Sequence, residues 1–184
     1  LHNYVGSRVF DVPVDEVTPE LRRRVKALSY GLVYGLSAFG LSQQLKISAG
    51  EAKRIMDNYF ERFGGVKRYL DHVVEVAKET GYTETLYGRR RYLPELNSSN
   101  RVARENAERA ALNAPIQGTA ADIIKIAMVR VRDRLRREGL ESRLILQVHD
   151  ELIIEAPLKE KDIAARILTE EMENAFQMNA PLVA

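Results

Sequence analysis

The sequence has 184 residues, of which 45% are hydrophobic and 29% are charged, which is usual for a globular protein of one or two domains and not for a disordered chain. It has no cysteine, which excludes disulfides and thiol chemistry and favours a reducing compartment. The net charge is only +2, so any affinity for nucleic acids must come from local basic patches, and neither a signal-peptide pattern nor an apolar run of membrane-spanning length occurs.

Helices are predicted over most of the first half of the chain. Thr18 is suited to cap a helix that begins at Pro19 and runs to residue 33. Two more helices are predicted at residues 48–63 and 66–80, because a serine precedes the first and glycines follow both. Three glycines should act as the stop signals of these two helices: Gly64, Gly65 and Gly81.

Strands are predicted in the rest of the chain, among further helices. Residues 82–87 and 89–93 should pair as a hairpin, as should residues 143–149 and 152–155. Helices are predicted at residues 100–113, 119–137 and 159–176, the first two being separated by an interruption near Pro115 and Gly118. These elements predict an α+β fold with a domain boundary near residues 95–105.

The first predicted helix has two unlike faces. At about 100° per residue, four residues spaced four apart form one stripe: Arg22, Lys26, Tyr30 and Tyr34. Apolar residues lie on nearly the opposite side: Leu21, Val25, Leu28 and Leu32. Cations in a row suit a polyphosphate and flat rings suit a base, so the stripe is typical of a nucleoside triphosphate site. A basic amphipathic helix with one solvated face is the alternative, and the stripe by itself does not decide between the two.

Two glycines in the same segment are unfavourable in a helix interior. Gly31 and Gly35 each cost about 1 kcal/mol relative to alanine, so they indicate that some group approaches the backbone closely.

Asp150 and Glu151 stand side by side between two short apolar runs. Such surroundings are expected to be poor in water, where an unpaired charge is costly, so the pair should need a cation. Mg²⁺ takes oxygen ligands and usually one or two protein carboxylates, with phosphates supplying the rest. The motif therefore predicts part of a metal site for phosphoryl transfer. A polar hairpin turn in contact with water remains the alternative.

In this order, the two motifs resemble those of the bacterial family A DNA polymerases. Arg22-x3-Lys26-x3-Tyr30-x2-Tyr34-Gly35 is similar to the family's fingers-helix motif, and Val148-His149-Asp150-Glu151 is similar to its palm carboxylate motif. Three further stretches match family sequences: residues 88–91, 104–109 and 113–122. The likeness covers essentially the whole chain. It implies a mostly helical fingers subdomain at residues 1–100 and the latter part of an antiparallel-sheet palm with packed helices at residues 101–184.

The resemblance implies template-directed DNA synthesis, in which a dNTP is joined to a primer 3′-hydroxyl at a two-ion Mg²⁺ site. Asp150 would hold metal with Glu151 in support, and Lys26 would serve as a catalytic residue, the general acid for the departing pyrophosphate. Four residues would bind the dNTP: His2, Arg22, Lys26 and Tyr30. Five would contact the primer–template: Tyr34, Arg109, Asn113, Gln117 and His149. Without the resemblance, Asn113 and Gln117 fit a polar kink near Pro115. Residues 89–91, all arginine, fit phosphate contact or a solvated hairpin tip equally well.

One part of the family pattern is missing. The second metal-binding aspartate lies in a motif resembling Asp-Tyr-Ser-Gln-Ile-Glu, which in the family precedes the fingers helix and would fall upstream of Leu1. We therefore expect the chain to be part of a longer polymerase and the isolated chain to be inactive. A non-catalytic nucleotide- or nucleic-acid-binding module is the alternative. The parent is expected to be a monomeric, cytoplasmic bacterial enzyme that associates with the nucleoid and not with a membrane.

Overall fold

The computed structural model describes residues 1–184 and has an α+β fold with two small antiparallel sheets, as predicted. The helices are α1 His2–Phe10, α2 Pro19–Val33, α3 Ala38–Leu45, α4 Ala49–Arg62, α5 Gly64–Thr80, α6 Arg101–Arg137 and α7 Lys161–Glu173. The strands are β1 Tyr82–Glu84, β2 Arg90–Tyr92, β3 Arg143–Val148 and β4 Glu151–Glu155. Short 3₁₀ turns lie at Val14–Glu16, Pro94–Asn97 and Leu158–Glu160. No helix combines the length and the hydropathy that a membrane span requires.

The chain forms two compact units, Leu1–Ile116 and Gln117–Ala184. Their boundary lies inside α6, later in the chain than the boundary expected near residues 95–105. Each unit has its own buried apolar residues, so the two are described separately.

The apolar face of α2 forms the centre of the first unit. Val25, Leu28 and Leu32 are buried, as the spacing predicts. Residues of α1 and α4 belong to the same core: Val5, Val9, Ala52, Ile55 and Tyr59. The bounds of α2 agree with the prediction because Thr18 caps it, its hydroxyl accepting the N–H of Leu21 at 3.2 Å.

Two helices of the first unit were not predicted, and the role predicted for Gly64 is wrong. Helix α1 was not foreseen because it has no side-chain cap and ends at Asp11 in the left-handed region, with φ of 54°. Helix α3 was also missed, although the Ser37 hydroxyl caps it. Gly64 begins α5 rather than stopping α4, since the chain turns at Phe63 and resumes a helix at once.

The predicted interruption near Pro115 and Gly118 is wrong as well, because α6 is continuous across both. A proline removes only one backbone donor, and both sides of the helix are anchored. Ala107 and Ala111 are buried in the first unit, while Ala127 and Val131 are buried in the second.

The second unit is a hairpin backed by helices. Strands β3 and β4 pair antiparallel, with an irregularity between Leu144 and Leu146. Leu152 is buried and belongs to one core cluster with Ala127 of α6, and Ile154 packs against another that contains Ile167 of α7. The opposite face is exposed along both strands, at Leu146, Val148 and Ile153.

A buried carboxylate holds the start of β3 in place. Glu160 accepts hydrogen bonds from the Ser142 hydroxyl at 2.7 Å, the Ser142 N–H at 2.9 Å and the Glu141 N–H at 3.2 Å. The Ser142 hydroxyl bond is the main reason that the pKa of Glu160 lies below its usual value. A lowered pKa in the folded state means that the ionised form stabilises the fold above the unfolded pKa, and that this stability is lost as the pH falls through the folded pKa.

Glu160→Gln is therefore expected to lower the free energy of unfolding at pH 7, and the difference from the unsubstituted chain should shrink on acidification. Urea denaturation at a series of pH values measures both effects. Glu141→Gln is the matched control, because Glu141 pairs with Lys159 at an exposed position where an ion pair contributes little. Equal effects of the two substitutions at every pH would contradict this role of Glu160.

Candidate nucleotide and nucleic-acid site

The outward face of α2 presents the predicted stripe to solvent. Arg22 and Lys26 are exposed, and 58% of Tyr30 and 51% of Tyr34 are accessible. Because the apolar face is buried, the helix cannot rotate without losing its core contacts. The charged and aromatic side chains therefore stay on one side.

Helix α1 brings a further predicted residue to this face. A cavity of about 820 Å³ lies between α1 and the start of α2, and its lining is Leu1, His2, Asn3, Val17, Pro19, Arg22, Arg23 and Lys26. The ring centroid of His2 is 6.1 Å from that of Tyr30, with the rings inclined at 57°. The four residues predicted to bind a dNTP are thus gathered in the first unit.

The protonation of His2 is affected by its burial and by two neighbouring cations. Burial lowers its pKa, and the charges of Lys26 and Arg22 lower it further. Its Nδ1 is buried without a hydrogen-bond partner in the chain. A polar atom left in this way is uncommon in folded proteins and is consistent with a ligand contact.

The run of three arginines in α2 divides into two roles. Arg24 is structural, since it binds Glu20 at 2.9 Å and Glu51 of α4 at 3.0 Å. Arg22 and Arg23 line the cavity. Arg23 was missed from the sequence because it lies off the four-residue stripe. The opposite wall of the cavity comes from Leu1, Asn3 and Val17, and the spacing within α2 does not reveal these neighbours.

Gly35, which follows Tyr34 in the chain, lies against the side chain of Arg109. Gly35 has φ of 68°, and a Cβ placed on it would lie 2.7 Å from Cγ of Arg109. The close approach predicted for Gly35 therefore exists, and a side chain of the same protein makes it. Farther along α6, Asn113 is buried and its Nδ2 has no partner in the chain.

The hairpin formed by β1 and β2 carries the three arginines at residues 89–91, and one of them is structural. Arg90 bonds to Glu84 at 3.2 Å and its guanidinium lies 4.3 Å from the ring centroid of Tyr82. These contacts tie β2 to β1. Arg89 and Arg91 are exposed, which leaves both earlier interpretations open for them.

The predicted carboxylate motif is the turn between β3 and β4. His149 occupies the left-handed region with φ of 54°, and Gln147 Nε2 donates to its carbonyl at 2.9 Å. Asp150 and Glu151 are exposed rather than dry, because the outer face of this hairpin is open to water. Neither carboxylate forms an ion pair within the chain. Gln117, also in this unit, is an exposed residue of α6.

The comparison with known sequences decides the family. The model of DNA polymerase family A matches residues 1–184. The chain belongs to this family. The resemblance seen in its motifs is therefore confirmed, and it extends over the whole of the chain.

Named relatives of this polymerase-family chain are bacterial. It is 62% identical over 182 residues to DNA polymerase I of Mycobacterium tuberculosis (strain ATCC 25618 / H37Rv) and 59% identical over 182 residues to that of Mycobacterium leprae (strain TN), each match covering 99% of this chain and 20% of the relative. DNA polymerase I of Geobacillus stearothermophilus is 48% identical over 182 residues, or 99% of this chain and 21% of the relative. The chain thus spans about a fifth of the length of the curated relatives it matches.

A solved structure shows the same fold. The POL domain of Pol1 from M. smegmatis, in complex with DNA primer-template and dNTP, matches with a TM-score of 0.95 and 62% sequence identity, over 99% of this chain and 32% of that one. At this identity and TM-score the α+β fold of this family A chain is shared with a polymerase domain.

In this family A chain, Asp150 and Glu151 can supply only some of the ligands that a metal ion needs. No group of three or more His, Cys, Asp or Glu side chains could hold an ion alone. Asp150 and Glu151 offer adjacent oxygen ligands that no protein cation neutralises. Since Mg²⁺ commonly takes one or two carboxylates and fills its shell from phosphates, this donor set fits an ion shared with a substrate.

The left-handed backbone of His149 is expected to lower the stability of the chain. A non-glycine residue in the left-handed region costs about 1–2 kcal/mol, so His149→Gly is expected to raise the free energy of unfolding by about 1 kcal/mol. His149→Ala, which keeps the Cβ, should give no such gain. Urea denaturation compares the two. Equal stabilisation by alanine and glycine would show that the side chain, and not the backbone, is unfavourable there.

Proposed function

We propose that this chain supplies the dNTP-binding fingers and the latter part of the palm of a DNA-directed DNA polymerase. The observation that carries the proposal is the cavity between α1 and α2, where His2, Arg22 and Lys26 meet beside the exposed ring of Tyr30. The shared fold with a polymerase domain bound to primer-template and dNTP supports it.

The cavity suits a triphosphate followed by a sugar and base. Arg22 can clasp phosphate oxygens with its planar fork, while Lys26 acts as a compact charge that can donate a proton to the departing pyrophosphate. His2 adds a donor when it is protonated. Tyr30 then offers a flat surface to the base and sugar.

A second set of side chains is suited to the primer–template. Tyr34 can stack at the templating position, and Arg109 and Asn113 can donate to groove acceptors shared by all base pairs, which a polymerase needs because it must accept every sequence. Gln117 and His149, in the second unit, complete the proposed set.

The proposed metal ligands are Asp150 and Glu151. When bound, a pair of Mg²⁺ ions supplies the charge that activates the primer 3′-oxygen and stabilises the leaving oxygen. The chain's own contribution is to place two adjacent carboxylates, one in the turn after β3 and one at the start of β4, on a pair of hydrogen-bonded strands. The second aspartate expected for such a site has no counterpart here, so we propose that the complete site needs a longer polymerase, a bacterial enzyme of the cytoplasm.

A nucleotide-binding module without catalysis is the second candidate. It is favoured by one observation: the triphosphate cavity lies entirely within the first unit, whereas the carboxylates lie in the second.

Nucleotide binding should depend on the charge of Lys26. Lys26→Ala is expected to weaken binding of a fluorescent dNTP by about tenfold, the usual effect of losing one charge-assisted contact of about 1.5 kcal/mol. Lys53→Ala is the matched control, since Lys53 is an exposed lysine of α4 whose partner is Asp57. A titration followed by fluorescence anisotropy gives both affinities. Equal losses would mean that binding is nonspecific, and no loss from either would place the nucleotide elsewhere.

When the chain binds a dNTP, His2 is expected to take up a proton. Burial, Lys26 and Arg22 lower the pKa of this histidine in the free chain, and a bound triphosphate opposes the two positive charges and raises the pKa again. The affinity is therefore expected to increase as the pH falls from 8 to 6, by linkage. Calorimetry in buffers of different ionisation enthalpy measures the uptake. His2→Ala should abolish it and His72→Ala should not; uptake that survives His2→Ala would assign the proton to another group.

Primer extension tests whether the isolated chain is catalytic by itself. With Mg²⁺, the 184-residue chain is expected to bind primer–template in a salt-dependent way and to add no nucleotide. Extension that Asp150→Ala abolishes would show that the chain forms a working metal site by itself. Extension that survives Asp150→Ala would point to a contaminating polymerase.

A further inference from the structure

Leu36 closes the turn that follows α2. Its N–H donates to the carbonyl of Gly31 at 2.8 Å, and the N–H of Gly35 donates to that of Leu32 at 3.0 Å. Gly35 has the left-handed backbone of a helix-terminating glycine, with φ of 68°. The chain therefore reverses tightly between Tyr34 and the start of α3.

The side chain of Leu36 lies wedged between two glycines. A Cβ placed on Gly31 would be 2.5 Å from Cδ2 of Leu36, and a Cβ placed on Gly40 would be 2.6 Å from its Cδ1. Neither position could carry any side chain while Leu36 stays where it is. The two methyl groups thus join the last turn of α2 to the first turn of α3.

Tyr34 is held inside this closed turn. Its N–H is shared between the carbonyls of Tyr30 at 3.2 Å and Gly31 at 3.1 Å. The next residue, Gly35, rests against the side chain of Arg109. The path of the backbone on both sides of Tyr34 therefore depends on Leu36 remaining in its place between the glycines.

We infer that Leu36 is a positioning residue for Tyr34 and, through it, a determinant of base-pair discrimination. This rests on the proposed function, in which Tyr34 stacks at the templating position. Without the two Leu36 methyl groups, the turn can relax around Gly31, Gly35 and Gly40, the residues with the widest choice of backbone conformation. A tyrosine that shifts distinguishes correct from incorrect pairs less well.

The test uses a chimera in which this chain replaces the matching segment of the M. smegmatis Pol1 polymerase domain. Single-nucleotide insertion opposite one template base yields kcat and KM for the correct and an incorrect dNTP. Leu36→Ala is expected to reduce the ratio of the two kcat/KM values by about tenfold, since ångström-scale misplacement of a positioning group has effects of this order or larger.

Two variants separate positioning from packing. Leu45→Ala makes the same truncation in α3, at a leucine that packs against the same core but is not among the nearest atoms to Gly31 or Gly40, and it should leave the ratio within about twofold. Leu36→Met, whose unbranched chain can lie in the same narrow space, should restore most of the discrimination. If Leu36→Ala fails to fold, Leu36→Val takes its place, because it too lacks the Cδ atoms.

The outcomes distinguish the inference from the proposed function. A chimera that extends primers and discriminates equally well with and without Leu36→Ala contradicts the positioning role alone. An equal loss of discrimination in Leu45→Ala also contradicts it, because general loosening of the core would then be the cause. An unsubstituted chimera that folds but adds no nucleotide contradicts the proposed function, and the positioning role with it.

Discussion

The burial of one face of α2 is the constraint on which the first unit depends. Val25, Leu28 and Leu32 are almost inaccessible, and each contributes roughly 1.5–3 kcal/mol by leaving water. Because a helix turns through about 100° per residue, burying these positions also determines what faces outward. Arg22 and Lys26 are exposed as a consequence of the same packing that stabilises the fold, so one helix both stabilises the first unit and carries the proposed ligand-binding side chains.

Both ends of α2 are then secured by contacts outside the core. Near its start, Arg24 is paired with Glu20 and with Glu51 of α4, which leaves its neighbours to face the cavity. At its end, the wedge of Leu36 holds the turn. Together these contacts join both ends of α2 to neighbouring segments of the first unit. In the second unit, the turn that carries Asp150 is defined by the pairing of β3 with β4 and by the left-handed backbone of His149.

Local patterns in the sequence were enough to predict α2, its two faces and the hairpin at β3 and β4, because each depends on spacing and capping within a few residues. Contacts between distant segments were not predictable in this way. The position of His2 beside Tyr30 depends on α1, which has no cap to reveal it, and the packing of Gly35 on Arg109 joins residues far apart in sequence. The expected dryness of Asp150 was wrong because apolar neighbours along a strand do not show which face is covered.

A structure of the chain with a bound dNTP would test whether the outward face of α2 binds the triphosphate. Phosphate oxygens are expected within hydrogen-bonding distance of Arg22 and Lys26, with the base or sugar against Tyr30. A nucleotide bound at any other surface, with this cavity unchanged, would contradict the proposed site even if the chain retained affinity for nucleotides.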